Sequence, residues 1–291
     1  MKEGKFKDFS MNEDERYELY LAAWLHDCGK VATPPHVVDQ GTKLETIFDR
    51  IELIKTRMEL LKKDQEIAFL RRQLNGQSNI EFDDEYKKAI SELDSNMKFL
   101  EECNIGGEFM KPELQEKVRS IGAKKVNIFN REQPFLSEEE IQNLNIPKGT
   151  LLPDEREIIN DHIVITIEML EQLPYPKNLK NIPEFAGGHH EKMDGTGYPK
   201  GLNESQMSTQ AKIMAIADIY EALTAADRPY KEGKKLSQAM RIMGFMKNDY
   251  HIDEELFEIF VTSGVYKKYA KEHVAKAQID EVDEKSVLGK E

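Results

Sequence analysis

Apolar residues recur at helical spacing along most of this chain. From Asp14 to Leu25, Tyr17, Leu21 and Trp24 lie three or four residues apart, which predicts an amphipathic helix. The prolines at 34 and 35 end that element soon after. Further apolar stretches of the same kind lie at 151–173, 236–246 and 254–269.

Two stretches in the first half of the chain have heptad spacing. The first runs from 43 to 74 and the second from 83 to 103, and a polar break at 75–79 separates them. Their apolar positions are Ile47, Ile51, Ile54, Met58 and Leu61 in the first stretch, and Tyr86, Ile90, Leu93, Met97 and Leu100 in the second. Two such helices joined by a short turn predict an antiparallel helical hairpin. Each seam covers about two heptads, so packing on the protein's own body and a dimerising coiled coil both remain open.

The remaining segments complete an all-α prediction. Glycines and prolines interrupt residues 104–150, where one short helix is expected after Ser137, and no segment shows strand alternation. The predicted organisation has an N-terminal part at 1–40, an insertion at 41–150 containing the hairpin, the remainder of the main domain at 151–270, and a polar C-terminal tail at 271–291.

Composition narrows the possible partners. The chain has 291 residues, 39% of them apolar, and a formal net charge of −13, which argues against binding to a nucleic acid polymer or an anionic membrane. It contains neither an apolar run of membrane-spanning length nor the apolar core of a signal peptide. Two cysteines give no disulfide framework, so we expect a reducing, cytoplasmic location.

Histidine and aspartate carry the chemistry of the chain. They form the pairs His26-Asp27 and His189-His190, with His162 and Asp218 elsewhere. Nitrogen and oxygen donors without thiolate suit iron, manganese or zinc in a metallohydrolase. Alone, His162 would be read as an ordinary helix residue, and Asp218 as a buried partner of an arginine. We interpret His36, His251 and His273 as ordinary surface or helix-end histidines.

The motifs around these residues resemble a known family. They read His26-Asp27-Cys28-Gly29-Lys30, then His189-His190-Glu191 followed by Asp194-Gly195-Thr196-Gly197-Tyr198-Pro199, then Ala217-Asp218 with Ala222-Leu223. In this order they resemble the HD-GYP subgroup of the HD-domain phosphohydrolases, over roughly residues 17–40 and 150–265. The resemblance implies an HD-domain helical bundle, here with the heptad-patterned hairpin inserted, and hydrolysis of cyclic di-GMP to linear pGpG or GMP.

The resemblance also implies the metal ligands. Asp27 would bridge two divalent ions, iron or manganese, with His26 and Asp218 on one and His162, His189 and His190 on the other. Two such ions lower the pKa of a bridging water and clamp the oxygens of an in-line displacement. The predicted catalytic residues are Asp27, as the bridging carboxylate, and Lys30. A helix continuing through the motif would place Lys30 on the same face as His26, where it would stabilise the developing phosphoryl charge or orient the attacking hydroxide.

Substrate contacts are predicted from charge and shape. Because the chain is acidic overall, a phosphate-bearing substrate needs local positive charge, which the metals, Lys30, Arg228 and Lys231 could supply. Tyr198 could stack on a guanine. In the family, its loop is also linked to recognition of partner proteins.

The family pattern includes a histidine upstream of the HD pair, and no histidine precedes His26. We therefore expect the chain to be part of a longer protein, because Glu13, Glu15 and Glu18 are only weak substitutes for the missing ligand. The resemblance separately implies a sensory or receiver domain upstream. Two alternatives stay open: hydrolysis of another cyclic dinucleotide, and a module that senses a nucleotide without turning it over.

Overall fold

The computed structural model describes residues 4–76, 80–106, 109–128, 131–226 and 233–289, except for the side chains of 80–82. In chain order the elements are α1 (Glu13–Leu25), α2 (Pro35–Val38), α3 (Ile51–Leu74), α4 (Ile80–Asn104), α5 (Pro112–Gly122), β1 (Lys125–Ile128), β2 (Arg131–Pro134), α6 (Glu138–Leu144), α7 (Pro153–Asn160), α8 (His162–Glu171), α9 (Ile182–Gly187), α10 (Thr209–Thr224), α11 (Leu236–Asn248), α12 (Glu254–Thr262), α13 (Val265–His273) and α14 (Glu284–Leu288). Short 3₁₀ turns occupy Cys28–Ala32, Lys177–Leu179, Glu204–Gln206 and Lys276–Gln278. The prediction of an all-α fold is confirmed.

The chain divides into two compact units. The histidine unit comprises Met1–Pro34 and Glu157–Glu291, and the hairpin unit comprises Pro35–Arg156. The insertion predicted at 41–150 thus corresponds to a slightly longer unit.

The two larger apolar clusters of the described residues in the histidine unit stabilise its helices. One lies among α10 to α14 and is built around Phe257 and Tyr266, both fully buried. The other joins α1, α8, α9 and α10 through Ala22, Leu170 and Phe185. Burial of side chains of this size contributes about 1.5–3 kcal/mol each. The second cluster fixes the four helices that carry the histidines and Asp218.

The segment after residue 270 is folded where it is described, although the sequence indicated a polar tail. Gln278 is buried and donates to the carbonyls of Thr224 and Lys234, each at 3.0 Å. Asp280 accepts two hydrogen bonds from Ser237. The polar side chains of this segment therefore hold α10 and α11 through hydrogen bonds, a role that hydrophobic patterning does not reveal.

The helical hairpin forms the larger part of the hairpin unit. Ile54, Met58 and Leu61 of α3 are buried in one cluster with Leu93 and Leu100 of α4. Ion pairs also join the two helices, at 2.9 Å from Lys55 to Glu101 and 2.6 Å from Lys62 to Asp94. The predicted hairpin seam is therefore used for packing within the unit.

Several predicted boundaries were wrong. α3 begins at Ile51 rather than 43, and Ile47 lies outside it with 97% of its surface exposed. The helix expected over 151–173 is two helices separated at Asp161, and Gly264, with φ of +69°, separates α12 from α13. The segment 104–150 contains α5 and an antiparallel β-hairpin, in which Val126 pairs with Gln133. Each strand has four residues, too few for alternation to be visible.

Candidate metal centre

Three histidines of the histidine unit share one local arrangement. In each, ring atom Nδ1 lies at hydrogen-bonding distance from the backbone carbonyl three residues earlier, beside a helix end. The contacts are His26 to Ala23 (2.7 Å), His189 to Ala186 (2.6 Å) and His162 to Ile159. A carbonyl only accepts, so Nδ1 must carry the proton and Nε2 of the neutral ring keeps its lone pair. Metal-ligating histidines usually have their second nitrogen fixed in this way.

Two of these rings, His162 and His189, converge with Asp27 and His190. The Nε2 atoms of His26, His162 and His189 are buried and have no hydrogen-bond partner, and the same is true of Oδ1 of Asp27. Ligand atoms of Asp27, His162, His189 and His190 all lie within 4.8 Å of one another. Polar atoms buried without partners are costly, and a cation that accepts their lone pairs removes the cost. These residues therefore fit a divalent metal.

Asp27 lies between two groups of donors. Its Oδ1 is 3.1 Å from Nε2 of His162, and its Oδ2 is 3.4 Å from Nε2 of His26. Oδ1 of Asp218, on α10, is 3.5 Å from the same nitrogen of His26. Asp27 thus presents one oxygen to each side, as a bridging carboxylate would. The division of six ligands between two ions stays a prediction.

Electrostatics keep most of these groups in their metal-binding forms. Burial, with the neighbouring rings of His189 and His162, lowers the pKa of His190 to about 3. Burial alone would raise the pKa of Asp27, but the neighbouring His162, His26 and Lys30 hold it far below its usual range. Neutral imidazole and ionised carboxylate are the forms that bind metals.

His26 differs from the other rings. Burial alone would lower its pKa, but Asp218 and Asp27 outweigh that effect and raise the pKa to about 10. A proton and a metal cation therefore compete for the space between the two carboxylates and His26, and the carboxylates attract both.

A glycine allows the His26-Asp27 pair to reach His162. At Gly29, an added Cβ would lie 2.0 Å from the carbonyl oxygen of His162 and 2.7 Å from Oγ1 of Thr166. The amide of Gly29 donates to that Oγ1 at 2.9 Å, which ties the 3₁₀ turn to α8. Any side chain here would push the two elements apart, so the glycine of the motif is required by packing.

Lys30 reaches the site by a route different from the predicted one. We expected a continuing α-helix to bring it to the face of His26, but α1 ends at Leu25 and the chain turns into a 3₁₀ helix. Nζ of Lys30 donates to Oδ2 of Asp27 at 2.6 Å. The lysine therefore contacts the proposed bridging carboxylate directly.

The segment after His190 is held by a buried carboxylate. Glu191 is 1% exposed, and its two oxygens accept from the backbone amides of Lys200 (2.7 Å) and Leu202 (2.8 Å). Because both oxygens are used in this way, Glu191 closes the loop rather than facing the metal site. From the sequence, we treated Glu191 only as a companion of the histidines and missed this positioning role.

Tyr198 packs on a proposed ligand. Its ring stacks on that of His190 with centroids 4.8 Å apart and planes 17° apart, and its amide donates to the carbonyl of His190 at 3.2 Å. Gly197 permits this approach, since a Cβ there would lie 2.4 Å from the amide nitrogen of Lys192. One face of Tyr198 therefore orients His190; a guanine contact by Tyr198 stays a prediction.

Comparisons with known proteins agree with this geometry. The family model "HD domain" matches residues 138–256. The 3'3'-cGAMP-specific phosphodiesterase 1 of Vibrio cholerae is 41% identical over 78 residues, which cover 27% of this chain and 18% of that protein. A cyclic di-GMP phosphodiesterase of Pseudomonas aeruginosa is 44% identical over 79 residues (27% and 18%), and one of Thermotoga maritima is 40% identical over 93 residues (32% and 25%). The chain is therefore similar to HD-domain proteins over residues 138–256.

The motifs around the proposed ligands resemble those of the HD-GYP subgroup, and the three relatives are named as phosphodiesterases of cyclic dinucleotides. The matches span only 18–25% of the length of the three relatives. No helix among the described ranges combines the length and apolarity needed to cross a membrane.

Two of the predicted substrate contacts, Arg228 and Lys231, lie outside the described residues.

Glu18 was considered as a substitute for the upstream ligand. It is buried, and its two oxygens accept hydrogen bonds from the backbone and side-chain nitrogens of Asn181 at 2.6 and 3.2 Å, so it holds α1 in place. Glu15 caps α1 through the amide of Asn12. His36 and His273 are exposed, as expected.

Proposed function

We propose that this chain is a metal-dependent phosphodiesterase that hydrolyses cyclic di-GMP to linear pGpG or GMP. One observation carries the proposal: ligand atoms of Asp27, His162, His189 and His190 lie within 4.8 Å of one another, and buried Oδ1 of Asp27 and Nε2 of His162 and His189 have no hydrogen-bond partner. The family's named relatives act on cyclic dinucleotides.

The ligand set we propose is His26, Asp27, His162, His189, His190 and Asp218. Nitrogen and oxygen donors without thiolate favour iron or manganese, and the bridging position of Asp27 favours two ions. When bound, such ions activate water and neutralise phosphoryl oxygens. The fixed Nδ1 protons and the stacked Tyr198 hold the ligand rings in place before any ion arrives.

Lys30 is the proposed catalytic residue beside Asp27. Its ammonium lies 2.6 Å from Oδ2 of Asp27 and its side chain remains 36% exposed, so it has further donors for a phosphoryl oxygen. In a protein with net charge −13, this local positive charge counteracts repulsion of a phosphate-bearing substrate. Arg228 and Lys231 are proposed to add to it. A cytoplasmic location, an upstream sensory or receiver domain and protein partners of the Tyr198 loop stay predictions.

A second cyclic dinucleotide is the alternative substrate, because one relative is named for 3'3'-cGAMP. The test is anaerobic turnover of cyclic di-GMP and 3'3'-cGAMP by protein loaded with iron or manganese, with metals counted in the same sample. We expect consumption of cyclic di-GMP, a linear product and about two metals per chain. Faster turnover of 3'3'-cGAMP would mean that 3'3'-cGAMP is the preferred substrate. It would leave the proposal of metal-dependent hydrolysis unchanged.

Bound metal without turnover of either dinucleotide would contradict the enzymatic proposal and support a nucleotide-sensing module. Failure to bind metal at all would contradict the proposed ligand set.

A further inference from the structure

Helix α3 of the hairpin unit carries two apolar stripes. The inner stripe contains Ile51, Ile54, Met58 and Leu61, which are buried within the unit. The outer stripe consists of Leu53, Leu60, Ile67 and Leu74, each seven residues from the next. Packing on α4 explains the inner stripe and leaves the outer one without a role in the unit.

The outer stripe is exposed over its full length. The exposed fractions are 49% for Leu53, 42% for Leu60, 45% for Ile67 and 87% for Leu74. Leu70, three residues after Ile67, adds another apolar side chain that is 47% exposed. Large side chains aligned in this way on one helix face, rather than scattered, mark an interaction surface.

The spacing specifies the kind of partner. A strict seven-residue repeat keeps an apolar seam facing one neighbouring helix in a left-handed coiled coil, whereas a helix on a globular core drifts from that repeat. With the outer stripe at the a positions, the d positions are Thr56, Lys63 and Leu70. We propose that the outer stripe joins two copies of this chain through a parallel α3–α3 coiled coil.

Charges beside the stripe favour a second copy in parallel orientation. The g positions are Glu52, Glu59 and Glu66, and the e positions are Arg57, Asp64 and Arg71. In a parallel pair, each g residue faces the e residue five positions later on the other copy, which gives Glu52 to Arg57, Glu59 to Asp64 and Glu66 to Arg71. Two of these three pairs are attractive. An antiparallel pair would instead bring the three glutamates of the two copies together.

The Arg57 pair is the weaker of the two attractive ones. Within its own chain, Arg57 already contacts Glu140 at 2.5 Å. Glu66 and Arg71 therefore contribute more to orientation than Glu52 and Arg57 do, and Glu59 with Asp64 offers a position where the dimer can be strengthened.

The first experiment is sedimentation velocity of the full chain over a concentration series. We expect the wild type to dimerise and the double variant Leu60→Lys/Ile67→Lys to be monomeric, because paired lysines at a positions cannot be buried. Both side chains are exposed, so the thermal unfolding of the variant should match that of a diluted wild type. Leu114→Lys, at a 40% exposed leucine of α5, is the matched control and should still dimerise.

Two further variants test the orientation. Leu53→Cys should form a disulfide between the two copies under mild oxidation, because a parallel register brings position 53 of one copy beside position 53 of the other. Asp64→Lys should tighten dimerisation roughly fivefold by turning the like-charge pair with Glu59 into an attractive one.

The outcomes separate clearly. A wild type that stays monomeric at about 100 µM, or a double variant that dimerises as well as the wild type, would overturn the proposal. A monomeric double variant without cross-linking of Leu53→Cys would overturn the parallel orientation. None of these readouts needs substrate or turnover, so they stand apart from the proposed phosphodiesterase activity.

Discussion

The two units bury polar groups for different purposes. In the histidine unit, Nε2 of His162, Nε2 of His189 and Oδ1 of Asp27 are buried without protein partners, in a group whose ligand atoms lie within 4.8 Å of one another. In the hairpin unit, buried Asn104 accepts from the amide of Leu44 at 2.9 Å and donates to Asp49 at 2.8 Å. Buried Lys43 donates to the carbonyls of Leu144 (3.0 Å) and Ile146 (2.8 Å).

The two kinds of buried polar group have different roles: one binds a ligand and the other stabilises the fold. A polar group that the protein itself satisfies contributes to stability, whereas lone pairs that converge without a partner await a ligand. Substitution in the first unit should therefore change metal binding and turnover, and substitution in the second should change the free energy of unfolding.

The largest effect is expected for Asp27→Ala. Loss of the carboxylate shared by both sides of the site should lower turnover by more than about 10²-fold and reduce metal content. Metal addition should raise the unfolding temperature of the wild type and leave that of the variant almost unchanged, because only the folded wild type binds it. Asp249→Ala, at an exposed aspartate just after α11, is the control. Unchanged hydrolysis by Asp27→Ala would contradict the proposed mechanism.

In the hairpin unit, we expect Asn104→Ala to lower stability and to leave metal binding unchanged. The variant leaves the buried amide of Leu44 without an acceptor and should lower the free energy of unfolding by about 1–3 kcal/mol. Denaturant titration measures this. Asn104→Asp keeps the acceptor but places a second carboxylate against Asp49, so it should be destabilised as well. The metal-induced rise in unfolding temperature should equal that of the wild type. A loss of metal binding in Asn104→Ala would break the distinction between the units.

The sequence indicated which residues come together at the site better than it indicated how the fold brings them together. The proposed ligands stand in recognisable motifs, so all six could be named before the structure. Their placement depends on contacts between distant segments, such as Gly29 against the carbonyl of His162. The acceptor role of Glu191 also escaped prediction, because its donors are backbone amides whose positions only the folded loop fixes.

The helix bounds were predicted well where the apolar repeat extends over many residues. They were predicted poorly where side-chain hydrogen bonds to the backbone determine where a helix begins. Helix α4 matches its heptad pattern closely. By contrast, α3 starts late because side chains hold the preceding turn: Glu45 accepts from the amide of Gly41 and Asp49 accepts from that of Ile51. Local carboxylate-to-amide bonds of this kind compete with a helix and are invisible to apolar spacing.

Glu191→Gln tests a group that lies in the histidine unit but is satisfied by the protein. A glutamine can accept only one of the two loop amides, so Tyr198 should lose its fixed position on His190. We expect about a 10-fold fall in turnover with metal content largely retained, as for partners that orient metal ligands. Trypsin should cut after Lys200 faster than in the wild type, and Glu184→Gln, at an exposed glutamate of α9, serves as control.

A double-variant cycle links this effect to Tyr198. If Glu191 acts through the tyrosine, Glu191→Gln should cost little more activity once Tyr198→Ala is present. Additive losses, or loss of metal from Glu191→Gln alone, would show that the carboxylate acts on the ligands by another route.

The smallest effect concerns Lys43 and appears as a pH dependence. Burial lowers the pKa of Lys43 from its ordinary value of 10.5. Between the lowered folded-state pKa and 10.5, the unfolded chain binds more protons than the folded one, so stability attributable to Lys43 rises with pH. Lys43→Met should lack this contribution. Urea titrations of both proteins at neutral pH and about pH 9.5 should show the wild type gaining stability relative to the variant. Equal pH dependence would mean that the two carbonyl acceptors fully compensate the buried charge, and that satisfied polar groups in the hairpin unit carry no electrostatic penalty.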